Sequence, residues 1–246
     1  MVKAYRTAGV RSFFHLPVVL FGERTALPGD WGIGHFYPKS RALKVGEPVI
    51  LDASPIFDGY MVDTSFSFAV GHNAAHRAMM LDLAEFRRSV LDAVNAGDRF
   101  KVIADRVNAR IAAMGYEPVH GKHPGEVLGH RALRLPNFPF DWRFKGFDAL
   151  SLGWFILKGK LAQTGLGRHA PTWNTSAQSD HAPHDGLWLV EPHAGKNGVG
   201  AKWEEILVIQ GGRAAWLDDD VPHLRQWAMA NGGGEYGPVA VAATMG

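Results

Sequence analysis

Apolar positions recur at helical spacing in two consecutive segments of the chain. In "HNAAHRAMMLDLAEFRRSVLDAVNAG", residues 72–97, and in "DRFKVIADRVNARIAAMG", residues 98–115, they fall three or four residues apart, as in amphipathic helices. Gly97 and Gly115 are suited to end these helices, and Asp98 is suited to cap the second one. The pattern therefore predicts two consecutive helices that turn their apolar faces to the core.

Short β-like runs lie on both sides of the two helices. "EPVILDAS" and "MVDTSFSFAVG" precede them, "LWLVEP" and "WEEILVIQ" follow, and "GGRAAWL" is typical of a terminal hairpin. Residues 136–186 are harder to assign and predict one or two short strands, such as "WFILKG". Strands, then helices, then strands indicate an α+β fold.

The whole chain, residues 1–246, is expected to form a single domain with its core at about 35–220. The N-terminal segment 1–34 is expected to be mostly irregular, with "FHLPVVLFG" as a buried strand. The Gly/Ala-rich tail, 230–246, is expected to be partly mobile or to act as a docking arm.

Composition narrows the classes of function. Of the 246 residues, 46% are hydrophobic and 20% are charged, and the formal net charge of +2 gives no basis for nucleic-acid binding. No stretch approaches the roughly 20 apolar residues of a membrane helix. The absence of cysteine excludes disulfides and thiolate ligands and fits a reducing compartment, so a cytoplasmic location is predicted.

Two aspartates flank a strong hairpin signal. Asp52 and Asp63 are eleven positions apart, and Asp58-Gly59 lies beside their midpoint. A chain that folds back at this dipeptide brings the two carboxylates to adjacent strands, where like charges repel.

Two glutamates repeat the arrangement. Glu191 and Glu204 are thirteen positions apart, with Asn197-Gly198 at their midpoint. Four carboxylates on half-buried strands require a counter-charge, which two divalent metal ions could supply.

Histidine is the expected nitrogen ligand of such a site. Among the twelve histidines, His130 in "GEVLGHRALRL" lies between a glycine and a short apolar run. That context favours His130 over His72, His76 and His223, which are expected to be exposed.

These residues carry a resemblance to a known family. "ILDASPIFDGYMVD", "LGHRAL", "WLVEP" and "AKWEEILVI" resemble the motifs of the methionine aminopeptidase, aminopeptidase P, prolidase and creatinase family, over about residues 35–217. The resemblance implies a pita-bread fold, in which helices cover a curved mixed β-sheet. It also implies two divalent metal ions (Mn, Fe, Co or Zn) and five ligands, which are Asp52, Asp63, His130, Glu191 and Glu204. Asp63 and Glu204 would bridge the ions.

The chain departs from the family pattern at three positions. Arg131 replaces a small residue beside the histidine ligand, and Asn137 stands where a second histidine is usual. Both are therefore assigned to substrate binding. His193 replaces a glycine after Glu191, and either takes over the role of the missing histidine or is a turn residue. His35, seventeen residues before Asp52, is either a substrate-side histidine or a loop histidine.

The resemblance implies a dinuclear metal-dependent hydrolase, most simply an aminopeptidase or an Xaa-Pro dipeptidase-like enzyme. Glu191 would take the proton from the attacking water, and His35 and His193 would assist catalysis. The alternatives are a hydrolase or lyase of a small amine-bearing substrate and a binding module that has lost catalysis. The expected partners are a small molecule or short peptide, with neither nucleic acid nor membrane, and a homodimer is left open.

The segment between His130 and Glu191 is long for this family. Its aromatic run "FPFDWRFKGF" is expected to form the wall of a pocket.

Overall fold

The computed structural model describes residues 1–37, 39–136, 142–165 and 169–231. In these ranges the chain forms five α-helices, which are α1 (Val2–Thr7), α2 (Ala74–Asn95), α3 (Phe100–Ala113), α4 (Ala149–Gln163) and α5 (Pro222–Asn231). Short 3-10 helices occupy Gly22–Ala26, Ile33–Phe36, Val119–Lys122 and Ala177–Ser179. Among the described helices, none has the length and apolar character that crossing a bilayer requires. Residues 232–246 of the predicted tail lie outside the described ranges.

Fourteen short strands are present in the same ranges. They are β1 (Ser12–Phe21), β2 (Pro48–Phe57), β3 (Tyr60–Met61), β4 (Thr64–Ala69), β5 (Glu117–Pro118), β6 (Gly129–Arg131), β7 (Arg143–Phe144), β8 (Phe147–Asp148), β9 (Thr172–Trp173), β10 (Gly186–Val190), β11 (His193–Lys196), β12 (Val199–Lys202), β13 (Glu205–Gln210) and β14 (Arg213–Trp216). One sheet has the order β3-β2-β1-β8-β7 with β4 also on β2, a second has β14-β13-β10-β6-β9, and a third has β12-β11-β5. The resemblance implied a mixed sheet, with parallel and antiparallel strands. Every strand pair in the described residues is instead antiparallel.

The two predicted helices form the centre of the core. The α2 stripe, including Met79, Met80 and Phe86, is buried in one cluster with Trp188 and Trp203 of the second half of the chain. Asn73 caps α2, since its side chain accepts a hydrogen bond from the backbone N–H of His76. The cap predicted at Asp98 is wrong, because α3 begins one residue later and no side chain caps it.

Both hairpin predictions are confirmed. Asp58 and Gly59 have φ values of 48° and 80°, and Asn197 and Gly198 have 51° and 77°, the left-handed backbone that tight hairpin turns require. His193 pairs with Lys202 across the second hairpin, and Val190 pairs with Glu205. The shared register sets Glu191 opposite Glu204, as their midpoint predicts.

The first hairpin differs by two residues from the expected register. Asp52 lies opposite Ser65, and the register Ala53–Thr64 and Ile56–Met61 leaves Asp63 opposite Ser54. The chain turns at Asp58-Gly59 itself, one position beyond the midpoint of the aspartates. The carboxylates are therefore diagonal neighbours rather than directly opposed, which lessens their repulsion.

Two segments contain more regular structure than the sequence pattern indicates. The stretch "WFILKG" belongs to helix α4, not to a strand, and Asp148 caps the helix by accepting hydrogen bonds from the N–H groups of Leu150 and Ser151. Its apolar residues lie on all sides, so the periodicity that distinguishes a helix is absent. In residues 1–34 the predicted strand "FHLPVVLFG" is confirmed as part of the ten-residue strand β1, which lies between β2 and β8, whereas helix α1 was not predicted.

Candidate metal centre

The two hairpins meet at their acidic residues. Asp52 on β2 lies opposite Ser65 on β4, and Ser65 forms an isolated antiparallel bridge to Glu204. Glu204 in turn lies opposite Glu191. Three carboxylates therefore stand in one row across four chain segments, although up to 152 positions separate them in the sequence.

Asp63 and His130 join this row from the side. His130 lies on β6, whose neighbour β10 leads to Glu191, and its Nε2 is 3.8 Å from Oδ2 of Asp63. One ligand atom from each of Asp63, His130 and Glu204 lies within 4.8 Å of the others. The structure thus brings together all five residues predicted to bind metal.

A lysine that the sequence analysis did not single out lies among the carboxylates. Lys202 is 3% exposed, and its Nζ lies 2.6 Å from Asp52, 2.8 Å from Glu191 and 3.3 Å from Glu204. Burial disfavours the charged lysine, but the surrounding carboxylates raise its pKa well above the usual range. Lys202 therefore supplies one positive charge to the cluster.

The carboxylates have divergent proton affinities. Burial raises the pKa of Glu204 well above its usual range, and the neighbouring Asp63 adds to this effect. Burial acts in the same direction on Glu191, but Lys202 and His123 outweigh it and hold the pKa of Glu191 well below its usual range. Glu191 is thus ionised at neutral pH, while Glu204 readily keeps a proton.

A second histidine contacts the two aspartates. His15 on β1 has its Nε2 3.3 Å from Asp63 and 3.4 Å from Asp52. Burial opposes its protonation, but Asp63 and Asp52 raise the pKa of His15 to about 9. One ligand atom from each of His15, Asp52 and Asp63 also lies within 4.8 Å of the others.

The donor atoms fit a divalent metal ion. Both carboxylate oxygens of Glu204 and Oδ1 of Asp52 are buried and accept no hydrogen bond, although Lys202 and His15 pair with these groups at 3.3–3.4 Å. Buried acceptors without donors are costly, and a bound cation removes that cost. Carboxylates with one or two imidazoles form a donor set that suits Mn²⁺, Fe²⁺, Co²⁺ or Zn²⁺.

The acidic cluster opens into a largely apolar cavity of about 730 Å³. Its polar floor includes Asp52, Asp63, His130, Glu191 and Lys202. Its apolar lining includes Phe14, Val18, Phe147, Leu152, Phe155 and Ile156. Helix α4, from the long segment between His130 and Glu191, supplies the last three, and Phe147 comes from the predicted aromatic wall. The shape suits an apolar side chain next to a polar reacting group.

His193 lies behind the cavity rather than in its wall. It is 1% exposed, and its Nε2 is 2.7 Å from the carbonyl oxygen of Thr25. Its Nδ1 lies 3.0 Å from Nε2 of His123, and Nδ1 of His123 lies 2.9 Å from Oε2 of Glu191. His123 lines the cavity. His123 therefore lies between His193 and the cavity, and His193 contacts the cluster only through His123.

The remaining predicted residues lie elsewhere. His35 is exposed, and its Nδ1 accepts a hydrogen bond from the backbone N–H of Gly32. The guanidinium of Arg131 donates to the carbonyl oxygen of Asp185 at 3.1 Å. Neither side chain lines the cavity, so their positions do not support the predicted substrate contacts. Asn137 lies outside the described residues.

The residues that sequence reasoning missed left weak signals. Lys202 precedes Glu204 by two positions, and the period of a strand sends both side chains to the same face. His15 is a polar residue within the otherwise apolar run of β1, which is also a weak signal. His123 follows a 3-10 helix, where no periodicity predicts the direction of a side chain.

Two expectations about other histidines are wrong. His76 and His223 were expected to be exposed but are both buried. Nε2 of His76 lies 2.8 Å from Oγ of Ser67, and Nε2 of His223 lies 2.7 Å from Oε1 of Glu205. Polar partners across neighbouring elements make the burial of these rings possible.

Comparison with known proteins identifies the family and the fold. The chain is 25% identical over 171 residues to a methionine aminopeptidase of Archaeoglobus fulgidus, which covers 65% of this chain and 56% of that protein. Its fold is similar to that of a dipeptidase from Pyrococcus horikoshii (18% identity, TM-score 0.61, 89% of this chain and 50% of that chain). It is also similar to that of an X-Pro aminopeptidase from Thermotoga maritima (17% identity, TM-score 0.63, 90% and 51%).

The similarity extends over most of this chain. The chain spans only about half the length of each of these three proteins. Its fold is the pita-bread fold of these structures, as the sequence motifs imply. The model of metallopeptidase family M24 matches residues 1–210. The chain therefore belongs to metallopeptidase family M24.

Proposed function

We propose that this chain is a metal-dependent hydrolase that acts on the N-terminal end of peptides, as an aminopeptidase or an Xaa-Pro dipeptidase. The observation that carries the proposal is the convergence of Asp52, Asp63, His130, Glu191 and Glu204 in one cluster. All of these except Glu204 line the floor of one cavity. The names of the similar proteins, a methionine aminopeptidase, a dipeptidase and an X-Pro aminopeptidase, support the same class of substrate.

Two divalent metal ions would be held by the five residues. Asp63 and Glu204 would contribute to both positions, Asp52 to one, and His130 with Glu191 to the other. Ions bound there would polarise a carbonyl group and lower the pKa of water. His15 is a further candidate ligand, since its Nε2 lies beside both aspartates.

The chain's own groups would bind the substrate and move protons. Glu191 is ionised, the form that accepts a proton from water, and Lys202 and His123 hold its Oε2 in place. Both ring nitrogens of His123 are engaged, one with Glu191 and one with His193, so this imidazole would orient the carboxylate that moves the proton and stabilise its charge. The apolar wall built by α4 would bind a side chain of the substrate and exclude water.

One observation favours a second candidate, a hydrolase or lyase of a small amine-bearing substrate. Three of the four carboxylates already bind an alkylammonium group, that of Lys202. The same carboxylates would recognise the ammonium group of a small substrate in the absence of a peptide chain.

A peptide panel tests the proposal. The purified chain is loaded with Mn²⁺, Co²⁺, Fe²⁺ or Zn²⁺ and incubated with short peptides that differ at the first two positions, including Xaa-Pro dipeptides. We expect release of one N-terminal residue, lost on chelation and in Asp63→Ala, and retained in the surface control His72→Ala. If the metal-loaded protein cleaves none of the peptides, the peptidase proposal is wrong, and release of product from small amine-bearing amides would then favour the second candidate.

A further inference from the structure

A cluster of three histidines lies apart from the acidic residues of the candidate centre. His169 follows α4, whereas His181 and His184 lie between the 3-10 helix Ala177–Ser179 and strand β10. Their ring centroids are 4.1–5.2 Å apart, and one nitrogen from each ring lies within 4.8 Å of the others. All three belong to the long segment between His130 and Glu191.

Two of these rings present nitrogen atoms without hydrogen-bond partners. Both ring nitrogens of His184 and Nε2 of His181 are buried and unpaired. Nδ1 of His181 lies 2.9 Å from the carbonyl oxygen of Ala182, an acceptor that places the ring proton on Nδ1 and leaves the lone pair on Nε2. Buried polar atoms without partners are uncommon and destabilising, so a bound ligand would stabilise these nitrogens.

The protein holds His181 and His184 in place. The backbone N–H of Phe100 donates to the carbonyl oxygen of His181 at 3.0 Å, and Nε1 of Trp188 donates to that of His184 at 3.2 Å. The ring of Trp188 stands edge-on to His184, with centroids 5.0 Å apart. Anchored backbones and packed rings are the support that fixes ligands before a metal binds.

A second cavity, of about 420 Å³, borders the cluster. His169 and His181 line it together with Gln163, Gln178 and Asp180. Zn²⁺ commonly takes three protein ligands and keeps a fourth position for water or another small ligand, and this cavity provides the room. Gln178 lines the large cavity as well, so the cluster lies near the wall shared by the two cavities.

We propose that His169, His181 and His184 form a second metal site, distinct from the acidic centre, that binds Zn²⁺ or a similar transition-metal ion through three imidazole nitrogens. Three neutral imidazoles suit Zn²⁺, Cu²⁺ and Ni²⁺ more than Mg²⁺ or Ca²⁺. Zn–N bonds of about 2.0–2.1 Å require the nitrogens to approach more closely than 4.8 Å. Rotation of the exposed side chain of His169 can provide that movement. The site requires no peptidase activity of the acidic centre.

The test separates the two sites by mutation. In an Asp63→Ala background, which weakens the acidic centre, the full chain is titrated with Zn²⁺ and with Co²⁺. The measurements are calorimetry, Co²⁺ absorption and quenching of tryptophan fluorescence, for which Trp188 is the nearby reporter. We expect one equivalent to bind through these histidines. His169→Ala, at an exposed position, should weaken this binding by at least about 100-fold, since changes behind a ligand alone cost about 10–100-fold.

The matched control is His72→Ala, which removes another exposed histidine and should leave this binding unchanged. Equal affinity and stoichiometry in His169→Ala and its parent, with both proteins folded by circular dichroism, would overturn the proposal. A peptide panel that shows no hydrolysis leaves the result of this titration unaffected, so the two proposals fail separately.

Discussion

Lys202 changes the electrostatic description of the acidic cluster. Without a metal ion, its ammonium group and the proton of His15 offset the four carboxylates, and Glu204 retains a proton because burial raises its pKa. In the proposed centre, a metal ion would compete with Lys202 for Asp52, Glu191 and Glu204. Metal affinity would then depend on a residue that is not itself a ligand.

The variant Lys202→Met measures this competition. Removal of one partner from a buried ion pair costs about 3–5 kcal/mol, because it leaves uncompensated charge in the protein interior. We expect the metal-free variant to melt at a lower temperature than the metal-free wild type. Added Mn²⁺ or Co²⁺ should raise the melting temperature of the variant by more than it raises that of the wild type. Lys196→Met, at an exposed lysine on the same hairpin, is the control. Equal metal-induced shifts in Lys202→Met and wild type would contradict this role.

If the proposed function holds, His123 and His193 should differ in their effect on kcat. His123→Ala should lower kcat by about 10²-fold or more, because the variant loses the imidazole beside Glu191. His193→Ala should lower kcat less, since His193 acts by orienting His123. Steady-state kinetics with metal bound checks both. A larger loss in His193→Ala than in His123→Ala, with both variants folded, is incompatible with these positions.

At the scale of elements, the hairpins were predictable and α4 was not. Asn197-Gly198 sets a register that carries Glu191 opposite Glu204, because a two-residue turn fixes which residues pair. Local sequence contains that information. Helix α4 is apolar on all sides, so its pattern does not distinguish helix from strand. The contact of His15 with Asp63 joins residues 48 positions apart in the sequence, and no local sequence pattern predicts a contact across that separation.

Helix α4 is expected to set the preference for the substrate side chain. Phe155 lines the cavity, with its ring centroid 6.0 Å from those of Phe14 and His130. Phe155→Ala should raise KM about 10-fold for peptides with a large apolar first residue, because burial of such a side chain contributes about 1.5–3 kcal/mol. Leu157→Ala, at an exposed position of α4, is the control. Unchanged KM in Phe155→Ala would contradict a contact between Phe155 and the substrate side chain.

The contact between α2 and β4 predicts a dependence of stability on pH. Burial lowers the pKa of His76 to about 4, so the folded chain holds this ring neutral while the unfolded chain protonates it near pH 6.5. Between pH 6.5 and pH 4 the unfolded state binds more protons, and stability falls as pH falls. The contribution of His76 is on the order of 3 kcal/mol.

The variant His76→Gln isolates that contribution. Denaturant unfolding of the metal-free protein at pH 7 and at pH 4 should show a smaller loss of stability in His76→Gln than in wild type. His72→Gln, which changes an exposed histidine of the same segment, should follow the wild type. Parallel pH profiles of His76→Gln and wild type would exclude this role of His76.

At the scale of the whole molecule, three sheets and the α2–α3 pair hold a row of acidic residues beside one cavity, whose floor includes Asp52 and Glu191. The order of the five motif residues in the sequence sufficed to predict the fold and the acidic cluster. Positions of side chains in or beside short 3-10 helices, such as His35 and His123, were beyond that prediction, because the geometry of these segments depends on contacts with distant elements. Metal binding by the acidic cluster underlies the proposed function.

Anomalous scattering tests this claim most directly. Crystals of the chain grown with Mn²⁺ should be measured on both sides of the manganese absorption edge. The account predicts an anomalous peak within coordination distance of Asp63, His130 and Glu204, with the ammonium group of Lys202 displaced from Glu204. A fully ordered cluster without a peak, in which Lys202 keeps its three ion pairs at saturating Mn²⁺, would contradict it.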